Sequence, residues 1–300
     1  MLRIAYKKSF SHPLPEGHRF PMLKYDLIPQ QLLHQGIVSA DQFFEPTALS
    51  TEVLFRTHDQ AYYQSLKDGS ISAKAMRKIG FPPSPALLER ELEICQGTLD
   101  CAYHALEYGV GMNVAGGTHH AYADSGEGFC IFNDFAVAAN QLLFEGKVNN
   151  VLIIDLDVHQ GNGTARIMQD EPRVFTFSMH GQANYPMHKE KSDWDIALAT
   201  DTGDEEYLDV LAKALAKLKS QNADLVFYQC GVDVLGTDKL GKLNLSKEAC
   251  AERDRMVFRF CKERGLPAVA AMGGGYSPQI ADIVDAHVRT FEIASDLLGG

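Results

Sequence analysis

Asp155, Asp157 and His159 fall at alternate positions in N-V-L-I-I-D-L-D-V-H-Q-G-N-G-T, residues 150–164. Alternate side chains of an extended backbone share one side, so three metal-capable groups face the same way. They follow Val151–Ile154, an apolar, β-branched-rich run with the composition of a strand buried on both faces. Carboxylates crowded where such a strand ends cost free energy unless a cation or a proton offsets their charge. A metal centre at the carboxyl end of a central strand is the leading reading. Asp233, in the G-V-D after another apolar run, brings a second carboxylate from a second strand end. Asp157, His159 and Asp233 would supply two carboxylate oxygens and one imidazole nitrogen, an open set suited to Zn²⁺ or Fe²⁺ and to activation of water. An isolated D-x-H reads better as turn-capping carboxylates beside a polar histidine, and Asp233 reverses that preference. Asp155 could orient a histidine from behind, bind a harder cation, or be held by backbone N–H groups.

Other groups join these. His119 and His120 follow Gly116-Gly117-Thr118, where glycines let the backbone approach a ligand. Adjacent histidines on extended backbone point apart, so each would reach one centre through a different nitrogen or take its own acceptor. A histidine near activated water is a general base. Tyr276 ends Gly273-Gly274-Gly275-Tyr276 and could donate to a developing oxyanion, against the bland reading of a glycine turn with a packing ring. Phe129 and Tyr185 lie on loops and could wall a long, thin substrate, although most loop aromatics only pack.

The elements that must position these residues alternate. A strand over 2–6 leads into the proline-rich 9–21, and a helix follows over 22–35. Residues 36–85 are hard to read beyond a helix near 57–66. Leu88, Leu92, Cys95, Leu99, Ala102 and Leu106 repeat at helical spacing over 85–108. Strands over 112–115, 150–156, 173–179, 224–230 and 267–272 then alternate with helices over 135–145, 163–170, 204–219, 246–264 and 277–298, with a long loop after 179. Such alternation implies right-handed crossovers and a mainly parallel sheet with helices on both faces, one α/β domain over 1–300. Ligands of such sheets bind beyond the carboxyl ends of the strands, where each candidate group falls.

Bulk properties narrow the classes. The chain has 300 residues, 45% hydrophobic and 22% charged, as in ordinary globular proteins. Its net charge of -11 argues against a nucleic-acid partner and suits a cationic one. No apolar run is long enough for a membrane span, and Met1–Lys8 carries no secretory h-region. The six cysteines form no C-x-x-C pair and read as reduced core residues, so a cytoplasmic location is expected.

In order and spacing, G-G-T-H-H, G-E-G-F-C-I-F-N-D, D-L-D-V-H-Q-G-N-G-T, G-V-D and G-G-G-Y resemble the histone deacetylase superfamily, with its arginase/deacetylase fold, from about residue 3 to the end. The H-Q-G-N-G variant and the opening H-P-L-P-E-G-H-R-F-P resemble the class IV branch and its bacterial relatives. The resemblance implies zinc on Asp157, His159 and Asp233. It implies His119 and His120 as the tandem catalytic histidines, backed by Asp155 and Asn162, and Tyr276 as the group that polarises the scissile carbonyl. Gly128, Phe129, Tyr185 and Gly274 would line the acyl-lysine tunnel. A structural potassium ion would sit on Asp155, Ser178 and Met179 with the backbone of Asp157 and His159.

The chain departs from class I relatives at Asn162, where their second histidine has an aspartate partner, and at Gln160, where they have a second histidine. An amide cannot stabilise an imidazolium as a carboxylate does, so His120 should be less basic than its class I counterparts. The implied activity is metal-assisted removal of acetyl or longer acyl groups from lysine side chains of proteins or peptides. An acetylpolyamine amidohydrolase shares this fold and suits the negative chain. A non-catalytic acyl-lysine binder would be expected to lack a metal ligand or the tyrosine, and an arginase-like ureohydrolase would have no use for G-G-G-Y. Oligomeric state is not legible.

Overall fold

The computed structural model describes residues 1–299. Its framework is one sheet of eight strands: β1 (Arg3–Ala5), β2 (Phe43–Phe44), β3 (Val110–Asn113), β4 (Val151–Asp155), β5 (Val174–Gly181), β6 (Trp194–Leu198), β7 (Leu225–Gln229) and β8 (Ala268–Ala271). Every neighbouring pair is parallel, in the order β2-β1-β3-β8-β7-β4-β5-β6. β4 and β7 lie in the interior of the sheet and are buried at every position. Each fully buried Val, Leu or Ile there contributes about 2 kcal/mol, which is why a run without alternation forms a strand at this place.

The helices are α1 (Lys24–His34), α2 (Thr51–Leu54), α3 (Gln60–Lys67), α4 (Ala73–Ile79), α5 (Pro85–Tyr108), α6 (Asp134–Phe144), α7 (Asn162–Met168), α8 (Asp204–Leu218), α9 (Lys247–Arg264) and α10 (Ile280–Leu298). α5 starts where Ser84 Oγ accepts the Leu87 N–H at 3.0 Å with Pro85 in the first turn, and it stops at Gly109. α5, α6 and α7 pack on one face of the sheet, while α8, α9, α10 and α1 pack on the other. Right-handed crossovers produce this division, because strand order advances from β3 to β6 and reverses from β6 to β8. The fold is the α/β architecture expected, with helices on both faces.

Three expectations are corrected. The loop expected after 179 contains β6, an edge strand whose W-D-I-A-L lacks the apolar run of a central strand. β3 sits two residues before its expected span. Val114 N still donates to Ala5 O at 3.1 Å, but Asn113 Oδ1 takes the Ala115 N–H at 3.1 Å and ends the ladder there. α10 begins at Ile280 and not at 277, because Pro278 disfavours helical backbone at Ser277.

Candidate active site

The site lies beyond the carboxyl ends of β3, β4, β7 and β8. Asp157 and His159 leave β4, Asp233 leaves β7, and all three are buried. One donor atom from each lies within 4.8 Å of the others. His159 Nδ1 is 3.1 Å from Asp157 Oδ1 and 3.1 Å from Asp233 Oδ2. The carboxylates also accept loop N–H groups, His159 N on Asp157 Oδ1 at 3.0 Å and Val158 N on Asp233 Oδ1 at 3.0 Å. Turn capping and convergence on one point are therefore the same geometry, not competing readings.

Burial opposes a charge on His159, but hydrogen bonds to Asp157 and Asp233 outweigh it and raise the imidazole to about 10. Burial and the neighbouring Asp157 push Asp233 up to about 7. Two buried carboxylates thus hold a proton on the imidazole between them. A divalent cation held by the three donors would neutralise the same charge, and two carboxylates with one imidazole fit zinc or iron(II).

Gly274 shows why glycine stands beside the cluster. Its N–H donates to Asp157 Oδ2 at 2.9 Å, and a Cβ there would overlap Asp233 Oδ2. Its place is behind the donor trio as well as along the cleft expected from the sequence.

The histidine pair sits in a turn closed by Ala121 N on Thr118 O at 3.3 Å. The expectation that the two side chains diverge assumed extended backbone and is corrected, since the rings lie side by side with centroids 4.1 Å apart. Each still has its own acceptor. His119 Nδ1 is 2.7 Å from Asp155 Oδ2, and His120 Nδ1 is 2.6 Å from Asn162 Oδ1. Burial would lower His119, yet Asp155 and then Asp157 raise it above its ordinary value. His120 is held well below its ordinary value by burial and then by His119 and His159, against the hydrogen bond to Asn162 and the charge of Asp157. The partner of His120 is the Asn162 amide, while its low basicity comes from burial and the two neighbouring imidazoles.

Asp134 fixes this turn in space. Its carboxylate accepts Gly117 N at 3.0 Å, Thr118 N at 2.8 Å, Thr118 Oγ1 at 2.8 Å and Thr98 Oγ1 at 2.7 Å. Asn133 accepts the Ala136 N–H at 3.0 Å to cap α6 and donates to Thr164 Oγ1 at 2.9 Å.

A narrow cleft leads to these groups and is lined by Phe20, Phe81, Phe129, Tyr276 and both histidines. Phe129 has φ +67°, an unfavourable backbone for a bulky residue, and its N–H donates to Ile79 O at 2.7 Å. Gly128 precedes it at φ +56°, where a Cβ would crowd His120 Cδ2 at 2.7 Å. Tyr185 meets the His120 ring edge-on at 5.0 Å. Burial, with Asp233 and Asp157 next, pushes the Tyr276 phenol well above its ordinary value, so it stays a donor. Asp155 and Ser178 are direct partners across β4 and β5, and Met179 follows.

Several residues of the site escaped the sequence reading. Phe20 and Phe81 come from the early loops. The fully buried Lys24 donates to Gly273 O at 2.9 Å, Asp238 accepts the Tyr276 N–H, and Glu127 accepts from Asn162 Nδ2 at 2.7 Å. An available signal for Glu127 was its place in G-E-G-F, beside residues already assigned to the cleft.

Sheet order, two-sided helical cover and a carboxylate–imidazole trio at the strand ends define a protein of the arginase/deacetylase fold. The histone deacetylase domain, as a family, matches residues 18–291. Histone deacetylase 2 of Arabidopsis thaliana is 31% identical over 278 residues, spanning 89% of this chain and 72% of that protein. An uncharacterized protein of Picosynechococcus sp. is 41% identical over 295 residues, 98% of each chain. Histone deacetylase 1 of Homo sapiens is 26% identical over 285 residues, 87% of this chain and 58% of that protein. The solved structure of an HDAC homolog complexed with SAHA superposes with a TM-score of 0.86 at 22% identity, covering 99% of this chain and 84% of that one, and this likeness shows the fold. The chain belongs to the histone deacetylase family and is a hydrolase of that family.

Proposed function

We propose that this hydrolase is metal-dependent and removes acetyl or longer acyl groups from lysine side-chain amines of proteins or peptides. One observation carries the reading: donor trio, paired histidines and tyrosine meet at the inner end of one narrow, aromatic-walled cleft. An acyl-lysine side chain is a thin apolar stem with an amide at its end, and Phe20, Phe81 and Phe129 match the stem. Tyr25, Ile94 and Cys130 line the same cleft.

A zinc or iron(II) ion held by Asp157, His159 and Asp233 would supply Lewis acidity toward the acyl carbonyl and the attacking water. Tyr276 donates a hydrogen bond to the carbonyl oxygen as negative charge develops there. His120, neutral and with Nδ1 bound to Asn162, takes the water's proton at Nε2. His119, hydrogen-bonded through Nδ1 to Asp155, steadies the developing charge, and one of the pair returns a proton to the departing amine. The products are a primary amine and a carboxylate. Potassium would be held near Asp155, Ser178 and Met179 and the backbone of Asp157 and His159, a structural role.

The net charge of -11 favours a second substrate class, acetylated polyamines, for the same chemistry. Among the described residues no helix is long and apolar enough to cross a membrane. The test is the purified, zinc-supplemented protein assayed on lysine peptides that differ only in acyl chain, beside acetylspermidine. The proposal expects peptide turnover with kcat/KM above that for the polyamine. Polyamine preference would transfer the function to the second class, and no turnover of either would overturn the hydrolytic assignment of substrate.

A further inference from the structure

Asn162 stands against His120, and an amide offers two different ends. Turning it over exchanges Oδ1 for Nδ2 with almost no change of shape. With Oδ1 toward the ring, His120 Nδ1 carries the proton and Nε2, at the ring's other edge, keeps a lone pair. With the NH2 group toward the ring, Nδ1 must accept, and the proton moves to Nε2. Only the first His120 can take a proton at Nε2. A carboxylate at position 162 would raise no such question, because its two oxygens are equivalent.

The surroundings of Asn162 decide the matter. Nδ2 is 2.7 Å from Glu127 Oε1 and 2.9 Å from the Tyr122 hydroxyl. Tyr122 directs its own hydrogen at Glu190 Oε1, 3.2 Å away, so its oxygen is left to accept. Glu127 is 3% exposed, and its second oxygen pairs with Lys78. A carboxylate has no hydrogen to give, so both neighbours demand the NH2 end and turn Oδ1 toward His120. The carboxylate absent from position 162 is thus present one hydrogen bond further out.

We propose that Glu127 is a positioning residue: by holding the Asn162 amide it sets the His120 tautomer, with the proton on Nδ1 and Nε2 free to act as base. The functional consequence rests on the base role proposed for His120, while the tautomer itself does not. Glu127→Gln is the informative variant, being of the same shape. Lys78 can only donate, so it claims the glutamine oxygen and turns the new NH2 group toward Asn162. The asparagine must then flip and present its own NH2 to His120. Asn162→Asp in the native background sets two carboxylates in contact. In the E127Q background it restores a matched chain, with the introduced amide donating to one oxygen of the new carboxylate and His120 donating to the other.

The test is ¹⁵N-edited NMR of full-length protein labelled at histidine nitrogens, with the His120 signals assigned by their loss in His120→Ala. Steady-state turnover of an acyl-lysine peptide is measured in parallel. The wild type should show a protonated Nδ1 at His120, and E127Q a protonated Nε2, with kcat lowered roughly tenfold or more at little change in KM. The double variant E127Q/N162D should regain the Nδ1–H signal and exceed both single variants in kcat. An unchanged Nδ1–H signal in E127Q, or a double variant no better than the single ones, would overturn the assignment and leave Glu127 as a pin between the Gly128 loop and α4. Absence of peptide turnover in the wild type would instead count against the substrate reading, and the NMR signal would still decide the role of Glu127.

Discussion

Tyr276 has to keep its proton to serve as a donor. Its ring packs against Phe20 and Phe129 at centroid separations of 6.1 and 6.0 Å, so Tyr276→Phe keeps that packing and removes one oxygen. We predict a loss of about 10²–10³-fold in kcat on an acyl-lysine peptide with bound zinc unchanged by elemental analysis. Full turnover in that variant would remove the tyrosine from the chemistry. Asp233→Ala should behave in the opposite sense, with zinc per chain falling sharply because one of three donors is gone. A variant that keeps its zinc would show that the trio is not the metal site. These residues were legible because ionisable types at strand ends are costly without a purpose. Lys24 was not. In the sequence it is one more cation at the start of a helix, yet it is fully buried and burial brings it down to about 8. Glu127 and Asp238 were hidden for the same reason: their partners, Asn162 and Tyr276, lie 35 and 38 positions away in the chain.

The turn that carries the histidines is held by the first residue of α6 and hardly at all by itself. Asp134→Ala would strand the N–H groups of Gly117 and Thr118 and the hydroxyl of Thr98 in a buried place. Buried donors left without partners cost about 1–3 kcal/mol each where no water reaches them, so a loss of about 3 kcal/mol is expected. Urea denaturation reads this as a lower midpoint at unchanged slope. Turnover should fall as well, because His119 and His120 sit one and two residues beyond Thr118. An unchanged midpoint would mean that the turn needs no anchor. Elements with a strong period or a doubly buried run, such as α5, β4 and β7, were readable within a residue or two. The stretch 36–85 was readable only at α3, since α2 and α4 are short and have too few turns to show a period. β6 was missed on similar grounds, being an edge strand with only its last residue buried.

At the scale of the molecule, parallel strands send every chain end of the sheet to one side, which gathers residues from position 20 to position 276 around one cleft. That gathering needs the early helices tied to the late loops, and His58 is one such tie. Its Nε2 accepts the Asn133 N–H at 2.9 Å, and its Nδ1 lies 3.3 Å from Ala123 O. A ring that accepts at Nε2 must be neutral, and burial lowers its pKa from 6.5 to about 4. The unfolded chain therefore binds one proton more than the folded chain between those values. Stability is complete above pH 6.5, falls as the pH drops from there toward 4, and then levels off. A drop of about 2 kcal/mol between pH 7 and pH 5 follows from this one group. Glutamine can accept from Asn133 and donate to Ala123 without titrating, so His58→Gln should flatten that part of the profile. The measurement is the urea-derived unfolding free energy of both proteins at pH 7, 6 and 5. Parallel profiles for the two would show that His58 does not carry the acid sensitivity of the fold.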